Sequence, residues 1–322
     1  MMKKVKWGIL GTATIAWEHV LPGMQKALNC EIYAITGRSR EKTIRFQEQF
    51  GIQKAYESYE ELLDDPEVEA VYIPLPNDKH VEWTIKAAQK KKHVLCEKPL
   101  ASNAQEVQRI IDVCKQEGVH FMEAFAYLHS ELTKKVVSFV REGTIGDVTF
   151  IESSFIIPTP DTSNIRMRKE TYGGSIYDVG CYNISLILRV LDEIPTKIKA
   201  MARFTDEGID DYCSAYLEFP IGVLATTNCG MCSTQCTSFY TIHGTKGVIH
   251  VPIIYNSYGE IEFYVNVEGI EETITLSVTD NYQLEIEQFG RCVLEDEQPY
   301  VSADFSVNVA TVLDQILDQV RY

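Results

Sequence analysis

The sequence predicts an α/β fold, in which a doubly wound parallel sheet is followed by a second domain with an antiparallel or mixed sheet. Strand and helix patterns alternate from residue 5 to residue 124, which is typical of a parallel sheet with helices on both faces. After about residue 125, strand patterns follow one another with few helices between them, which indicates antiparallel pairing. With 322 residues, the chain is long enough for two domains of ordinary size.

The first part of the chain contains short apolar runs that predict buried strands, with helical patterns between them. The first run ends in glycine and small residues, as a strand does before a tight turn. Ser102 is expected to cap the last of these helices, with Gln105 completing a capping box. The predicted strands are 5–10, 31–35, 68–74, 93–96 and 119–124, and the predicted helices are 41–50, a segment through Trp83 and Ala88, and 102–116.

The later part of the chain reads mainly as strands. The change of pattern places the predicted domains at 1–123 and 124–322, with the option that the last helix packs back on the first domain. The segment HGTKG at 243–247 predicts a hairpin turn between two strands. The predicted strands are 147–157, 196–204, 212–219, 222–229, 237–243, 246–252, 260–267 and 270–278, and the predicted helices are 131–141, 178–191, 282–294 and 304–320.

Composition and charge exclude several classes of partner. The 30 basic and 46 acidic residues give a net charge of −16, which argues against nucleic acid and anionic membranes, because phosphate-rich surfaces attract basic proteins. No apolar stretch reaches the ~18 residues that a membrane span requires. Nine cysteines without a clear secretory signal predict reduced thiols and a cytoplasmic protein.

The first predicted strand is followed by a glycine-rich turn that suits a dinucleotide. In the segment GILGTATIA at 8–16, small residues at Gly11, Ala13 and Ala16 would let backbone amides approach a pyrophosphate. Alanine stands where the middle glycine is usual, so its methyl group narrows the approach. An ordinary tight turn is the alternative, but the position at the first strand–helix junction favours cofactor binding. The expected contacts are Gly11, Thr12, Ala13 and Ile15.

The end of the second predicted strand bears on the choice between NAD and NADP. A carboxylate there binds the ribose 2′-hydroxyl of NAD, whereas basic and hydroxyl groups suit the 2′-phosphate of NADP. Residues 36–40 read TGRSR and contain no acid. Arg38 could bind a phosphate and Ser39 could donate a hydrogen bond, so we expect NADP, with NAD as the second choice. A solvated loop is the alternative.

Two more segments follow predicted parallel strands and should meet at the ligand-binding edge of the sheet. Residues 73–80 read IPLPNDKH, and residues 96–99 read CEKP. Because ligands bind outside the carboxyl ends of such strands, Lys98 should project into the same crevice. For His80 the alternative is a histidine at a helix start. The expected cofactor contacts are Pro76, Asn77, His80, Glu97 and Lys98.

Five motifs together resemble the family of glucose-fructose oxidoreductase, inositol dehydrogenase and dihydrodiol dehydrogenase (Gfo/Idh/MocA). They are GILGTATIA at 8–16, PNDKH at 76–80, EKP at 97–99, GGSIYDVGCY at 173–182 and HGTKG at 243–247. The resemblance implies an amino-terminal Rossmann domain and NAD(P)-dependent chemistry on sugars, polyols or related cyclic hydroxyl compounds. It also implies a carboxy-terminal domain with a large, open, mostly antiparallel sheet, which forms the interface of a homodimer or homotetramer.

The resemblance assigns the family's catalytic lysine to Lys98 and its last site position to Tyr182. That position is a histidine in inositol-dehydrogenase-like members and a tyrosine in members similar to dihydrodiol and D-xylose dehydrogenases, so the chain resembles the second group. A free phenol has a pKa near ~10, and a nearby ammonium group lowers it. We therefore expect a proton-transfer pair, in which Tyr182 takes the hydroxyl proton as hydride leaves the carbon.

Three charged residues are further candidates in the same region. Asp178 lies four residues before Tyr182, hence on the same face of a helix, and could bind substrate or orient the lysine. Arg166 and Arg168 precede the glycine pair and could supply positive charge to the substrate pocket. Loop arginines are more often solvated, so this assignment is the weaker one.

Other functions stay open at this point. A regulatory protein that binds NAD(P) and senses sugar or redox state would have the same fold, but it would have no use for a phenol base. An oxidoreductase that keeps its cofactor bound through a closed cycle is another alternative. Cys229, Cys232 and Cys236 could suggest zinc, but zinc takes four ligands and only one close pair is present, so we predict no metal site.

Overall fold

The computed structural model of the chain describes residues 3–220, 222–253 and 255–320. These residues form two compact units. The first contains residues 3–129 and 280–307, and the second contains residues 130–279 and 308–320. The first unit therefore includes a late segment of the chain, residues 280–307. The expected division into 1–123 and 124–322 has a single boundary and does not include this return of the chain. No helix within the described ranges is both long and apolar enough to cross a membrane.

The first unit is built on a six-stranded sheet in which neighbouring strands are parallel. Its strands are β1 (Val5–Leu10), β2 (Cys30–Thr36), β3 (Lys54–Tyr56), β4 (Ala70–Ile73), β5 (His93–Glu97) and β6 (Phe121–Ala124). Their order is β3-β2-β1-β4-β5-β6, which places the switch of winding direction between β1 and β4. The predicted doubly wound parallel sheet is confirmed.

Helices connect the successive strands of this sheet. They are α1 (Leu21–Lys26), which follows a π-helical turn at Ala16–Val20, then α2 (Arg40–Phe50), α3 (Tyr59–Asp64), α4 (His80–Gln89) and α5 (Ala104–Glu117). Asn103 caps α5, because its backbone is extended and its Oδ1 accepts the Glu106 N–H at 2.9 Å. The predicted cap at Ser102, with Gln105 in a capping box, is therefore wrong by one residue.

The late segment of the first unit supplies a helix that completes its core. This helix is α8 (Asn281–Glu295). Its Phe289 is fully buried, and the Phe289 ring lies 5.6 Å from the equally buried ring of Trp7 in β1. Gly23 of α1 permits close approach, since a Cβ there would lie 2.9 Å from the main-chain N of Gln283. The first strand and the late helix thus belong to one hydrophobic core.

The second unit is built on an eight-stranded, mostly antiparallel sheet. Its strands are β7 (Val148–Pro158), β8 (Lys197–Phe204), β9 (Asp210–Glu218), β10 (Leu224–Ser233), β11 (Thr237–Gly244), β12 (Gly247–Val251), β13 (Gly259–Val267) and β14 (Ile270–Val278). Their order is β14-β13-β12-β11-β7-β10-β9-β8, with β7 and β10 as the parallel pair. This sheet confirms the predicted fold class, and the predicted hairpin turn joins β11 to β12.

The two faces of this second sheet differ in their exposure. Helix α7 (Cys181–Leu191) packs on β7 and β10 and covers one face. On the other face, Met201, Tyr216 and Leu224 have exposed fractions of 82%, 66% and 53%. The remaining helices are α6 (Glu131–Arg141) and α9 (Ala303–Val320), whose residues 308–320 belong to this unit. The open face therefore presents large apolar side chains to the solvent.

Candidate active site

The carboxyl ends of β1, β4 and β5 carry the loops in which the sequence predicts cofactor contacts. Ligands bind at this edge of doubly wound sheets, beside the point where the winding direction switches. The loops comprise residues 11–15, 74–80 and 97–101, and each directly follows one of the three strands. Because β1 and β4 flank the switch point, these loops lie where a dinucleotide is expected.

The turn after β1 is built from closely packed small residues. Gly11 has a φ of +131°, and its N–H donates to Thr36 O at 2.8 Å. A Cβ at Gly11 would lie 3.1 Å from Leu75 Cδ2, so a side chain there would be both strained and crowded. The helical segment starts directly afterwards, with Trp17 N donating to Ala13 O at 3.2 Å. Main-chain N–H groups at this helix start fit the pyrophosphate of a dinucleotide.

The end of β2 presents a guanidinium group and a hydroxyl group, with no acid among residues 36–40. Arg38 is exposed, and Ser39 caps α2 through its side-chain oxygen. Arg40 is engaged elsewhere, because its Nη1 lies 2.6 Å from Glu57 Oε1. Arg38 and Ser39 therefore fit the 2′-phosphate of NADP, and Arg40 is the less suitable of the two arginines.

The segment after β4 leads to a buried histidine, His80, which is the first residue of α4. Pro76 and Asn77 are partly exposed, but His80 is fully buried, with Nδ1 2.8 Å from Pro99 O and Nε2 2.8 Å from Leu75 O. Burial lowers the pKa of His80, and the two carbonyl contacts oppose that effect. Both ring nitrogens lie against main-chain carbonyls, so His80 joins the loop after β4 to the loop after β5, and its expected contact with the cofactor stays a prediction.

The loop that carries Lys98 is anchored by two glutamate side chains. Glu97 Oε1 accepts a hydrogen bond from the buried Tyr72 hydroxyl at 2.7 Å, and Glu97 Oε2 accepts the Lys98 N–H at 3.3 Å. Burial raises the pKa of Tyr72 well above its ordinary value, so this hydroxyl remains a donor. Glu123 Oε1 accepts the Leu100 N–H at 3.1 Å. The backbone at and after Lys98 is thus held by side chains of the same unit.

Two carboxyl groups close to this loop are almost completely buried. Burial raises the pKa of Glu123 to about 7 and raises the pKa of Glu285 well above its ordinary value, and the nearby charge of Glu97 adds to both shifts. At neutral pH these groups therefore carry less negative charge than ordinary glutamates. Sequence reasoning missed them, because a glutamate within a strand or helix pattern gives no sign of its burial.

In the second unit, close backbone packing requires the glycine pair that precedes Tyr182. The Gly173 N–H donates to Arg168 O and the Gly174 N–H donates to Arg166 O, both at 2.9 Å. A Cβ at Gly173 would overlap Arg166 O. Gly174 has a φ of +122°, and a Cβ there would overlap Asp210 Oδ1. The pair lets the chain fold back tightly just before the helix that bears Tyr182.

Asp210 fixes the start of that helical segment. Its Oδ2 accepts hydrogen bonds from Ser175 Oγ at 2.8 Å and from the Ile176 N–H at 2.7 Å. Burial raises the pKa of Asp210 to about 6, although these donors oppose the shift. Sequence reasoning missed Asp210, because 34 or 35 residues separate it from its partners.

Two of the charged candidates form an ion pair. Asp178 Oδ2 lies 2.6 Å from Arg166 Nε, and the side chain of Asp178 is 13% exposed. Arg168 lies at the surface, while its carbonyl takes part in the glycine turn. The structure therefore brings Asp178 and Arg166 together as a pair without net charge.

Tyr182 lies in the first turn of α7 among aromatic rings. Its ring lies 5.5 Å from the ring of Phe155 and 5.3 Å from the ring of Tyr255. The Asn256 Nδ2 donates to the Tyr182 hydroxyl at 3.5 Å. No sequence motif identifies Asn256, since it lies in an irregular segment between β12 and β13 and far from Tyr182 along the chain.

The two residues proposed for proton transfer belong to separate units. Lys98 belongs to the first unit and Tyr182 to the second, so their pairing stays a prediction. Throughout the described ranges, no group of three or more His, Cys, Asp and Glu side chains could hold a metal ion. The nine cysteines are thiols that form no disulfide, and Cys232 and Cys236 are the exposed ones.

Comparisons with known proteins identify the family of the chain. Residues 5–125 match the oxidoreductase family with an NAD-binding Rossmann fold (GFO_IDH_MocA), and residues 133–250 match the GFO/IDH/MocA C-terminal domain. A D-xylose 1-dehydrogenase (NADP(+)) of Haloferax volcanii is 36% identical over 97% of this chain and 96% of its own length. A trans-1,2-dihydrobenzene-1,2-diol dehydrogenase of Xenopus laevis is 30% identical over 98% of this chain and 97% of its own.

Solved structures extend the likeness to the whole fold. A 3-ketoreductase from Actinomadura kijaniata, in complex with NADP and TDP-benzene, has a TM-score of 0.93 and 29% identity, and the match covers 99% of this chain and 98% of that one. An aldose-aldose oxidoreductase from Caulobacter crescentus shares the fold, with a TM-score of 0.92, 24% identity and the same coverage. The resemblance predicted from the motifs is confirmed. With both of its units matched, the chain belongs to the GFO/IDH/MocA family of oxidoreductases, whose cofactor domain is an NAD-binding Rossmann fold.

Proposed function

We propose that this protein is a dehydrogenase or reductase that transfers hydride between NADP and a sugar-like substrate, with Lys98 and Tyr182 as its proton-transfer pair. The placement of Lys98 carries the proposal. Lys98 directly follows β5, in a loop whose backbone is held by Glu97 and Glu123. Lys98 therefore has a fixed backbone at the edge of the sheet where a dinucleotide is expected. A fixed backbone suits a catalytic residue, because it does not depend on solvent-exposed contacts.

The proposed NADP site follows the edge of the first sheet. The absence of an acid after β2 supports NADP over NAD. The similar D-xylose dehydrogenase uses NADP, and the similar ketoreductase was solved in complex with NADP, which supports the same choice. Arg38 and Ser39 would bind the 2′-phosphate, the turn from Gly11 to Ile15 would bind the pyrophosphate, and Pro76, Asn77 and Glu97 would lie towards the nicotinamide half.

The substrate that we propose is an uncharged compound with several hydroxyl groups. The relatives named above act on D-xylose, on a dihydrodiol and on a keto group. Around Tyr182, this chain offers the amide of Asn256 and the ion pair of Asp178 with Arg166. Because that pair has no net charge, these groups favour hydroxyl recognition over binding of a strongly anionic substrate.

The side chains of the protein manage the proton that accompanies hydride transfer. The bound nicotinamide supplies the hydride acceptor or donor, which amino-acid side chains do not provide. In oxidation, the phenol oxygen of Tyr182 takes the proton of the substrate hydroxyl, and the ammonium group of Lys98 stabilises the phenolate beforehand. In reduction, Tyr182 returns that proton to the substrate oxygen, so the same residue serves both directions.

We also propose that the chain assembles into a homodimer or homotetramer through the open face of the second sheet and works in the cytoplasm. The exposed Met201, Tyr216 and Leu224 support self-association, since patches of this kind mark interaction surfaces. Nine cysteines without a disulfide among them support a reducing compartment.

A substrate panel with two variants tests the proposed chemistry. The purified protein is mixed with D-xylose, other aldoses, cyclic polyols and trans-dihydrodiols, with NADP and NAD in parallel, and the absorbance of reduced nicotinamide is followed. We predict turnover with NADP, and a loss of about 10²- to 10⁴-fold in kcat for Tyr182→Phe and Lys98→Ala, because general acid–base catalysis contributes about that much. Tyr264→Phe, on β13, is the matched control and should keep the wild-type rate.

Binding of the reduced cofactor, measured by the fluorescence of its nicotinamide, separates the proposed enzyme from a regulatory sensor. Wild-type turnover by Tyr182→Phe would remove Tyr182 from the proposed role. Tight NADP binding without turnover of any compound in the panel would favour the regulatory sensor over the enzyme.

A further inference from the structure

We propose that Asn256 is a further catalytic residue, whose side-chain amide donates a hydrogen bond to the phenol oxygen of Tyr182 and so stabilises the phenolate. This inference rests on the proposed function, since it requires Tyr182 to be the group that exchanges the proton. Nothing in the sequence motifs assigns a role to residue 256.

The contact joins the Asn256 amide to the atom on which the proton would arrive. The distance from Asn256 Nδ2 to the Tyr182 hydroxyl oxygen is 3.5 Å, which is a long hydrogen bond and leaves room for shortening when the phenol ionises. An N–H donor favours the charged form of its acceptor, because a phenolate accepts more strongly than a neutral phenol. Asn256 would thus stabilise the phenolate of Tyr182 within the second unit, and this effect would not require Lys98.

A buried hydrogen-bond network holds both partners of this contact. Asn183, next to Tyr182 in α7, is completely buried, and its Oδ1 accepts from the Tyr255 hydroxyl at 2.8 Å and from Ser153 Oγ at 2.9 Å. The Asn183 Nδ2 in turn donates to a main-chain carbonyl of β10 at 2.8 Å. Because Tyr255 directly precedes Asn256, one network fixes the neighbours of both residues, and it limits how far the amide and the phenol can move apart.

The titratable groups around Tyr182 in the second unit do not take over this role. Burial raises the pKa of Tyr255 and of Tyr240, so both phenols stay protonated. The adjacent Cys181 is a buried thiol whose Sγ donates to a main-chain carbonyl. Asp178, one helical turn earlier, is paired with Arg166. The Asn256 amide is a neutral side-chain donor to this phenol.

The proton balance follows from the proposed reaction. In oxidation, the O–H bond of the substrate breaks and an O–H bond forms on Tyr182, while Asn256 keeps both of its protons throughout. Loss of the donor should raise the midpoint of Tyr182 ionisation by about half to one pH unit. At pH values below that midpoint, kcat/KM should then fall about 3- to 10-fold, and at pH values well above it kcat/KM should be unchanged.

Ultraviolet difference titration tests this without any need for turnover. The tyrosinate absorbance of the wild type minus that of Tyr182→Phe isolates the ionisation of residue 182, and the same subtraction is made in an Asn256→Ala background. We expect the midpoint to rise in Asn256→Ala and to rise further in Asn256→Asp, whose carboxylate repels the phenolate. Asn266→Ala is the matched control: Asn266 is also partly buried and accepts the Gly269 N–H in the hairpin between β13 and β14.

The outcomes separate this inference from the proposed function. A midpoint that stays in place, or that falls because the amide oxygen faces the phenol, overturns the role of Asn256 even when Tyr182→Phe abolishes turnover. A rise confined to the Asn256 variants, with unchanged melting temperature and the same shift in the pH profile of kcat/KM, supports it. If the midpoint rises and Tyr182→Phe still turns over normally, the hydrogen bond stands and the catalytic assignment of both residues is overturned.

Discussion

Glu123 carries a buried carboxyl group whose charge changes with pH close to neutrality. Burial raises its pKa from the ordinary 4.5 to about 7, and the unfolded chain returns to the ordinary value. Between these pH values the folded protein holds a proton that the unfolded chain has released. The stability contribution of Glu123 is therefore complete below about pH 4.5 and is lost as the pH rises through about 7. Because Glu123 anchors Leu100, this ionisation also changes the charge close to Lys98.

We predict that Glu123→Gln removes this part of the pH dependence. Glutamine keeps an oxygen that can accept the Leu100 N–H, but it cannot ionise. The free energy of unfolding would be measured by urea denaturation at about pH 5 and about pH 8 for both proteins. Over that range, the wild type should lose about 2.5 kcal/mol more than the variant. Parallel losses would mean that Glu123 is already ionised in the folded protein at pH 5.

The glycine pair, Asp210 and the start of the Tyr182 helix act as one structural element. The pair brings the chain back against residues 166–168, and Asp210 then accepts two hydrogen bonds from the start of the helical segment. The position of Tyr182 therefore depends on a turn that tolerates no side chain at Gly174. Crowding at this turn should affect both stability and catalysis, because the helix that bears the phenol starts from it.

We predict that Gly174→Ala destabilises the protein by about 2 kcal/mol or more and lowers kcat as well. The added methyl group would overlap Asp210 Oδ1 at a backbone φ of +122°, so strain and crowding add. Gly259→Ala is the matched control, because its φ is +90° but nothing lies within 4 Å of the added Cβ. Thermal denaturation and steady-state rates measure the difference. Equal effects of the two substitutions would show that crowding against Asp210 is unimportant.

The sequence predicts elements with strong periodicity and misses features that depend on tertiary contacts. Apart from β3, the strands of both sheets were predicted to within a few residues, because their apolar runs are long or fully buried. The strand Lys54–Tyr56 and the helix Tyr59–Asp64 were missed, since the strand is short and largely exposed. Lys98 and Tyr182 could be proposed as site residues from the sequence because they lie in recognisable motifs. Asp210 and Asn256 could not, because their roles depend on partners distant in the sequence.

At the scale of the whole molecule, the acidic charge and the open face of the second sheet have opposite effects on association. A net charge of −16 opposes contact between copies, whereas exposed Met201, Tyr216 and Leu224 favour it. These side chains share one face of neighbouring strands, so they can act together as an interface. Salt should therefore strengthen self-association, because it screens the repulsion and leaves the apolar contribution.

We predict that the wild type is a dimer or tetramer and that Met201→Glu shifts it towards the monomer. The substitution places a charge within the proposed apolar interface, where desolvation is costly. Leu28→Glu is the matched control, because Leu28 is a similarly exposed apolar side chain in the first unit. Light scattering after size-exclusion chromatography gives the mass of each species. A monomeric wild type, or equal dissociation by both variants, would rule out this face as the interface.

The late position of α8 in the chain has a consequence for the order of folding during synthesis. Trp7 in β1 is buried against Phe289, which the ribosome adds about 280 residues later. Until that helix emerges, the first strand leaves an indole and its apolar neighbours without their native cover, while the whole second sheet is translated in between. The first unit therefore cannot complete its core until translation is almost finished. Until then, part of that core is exposed to chaperones and proteases.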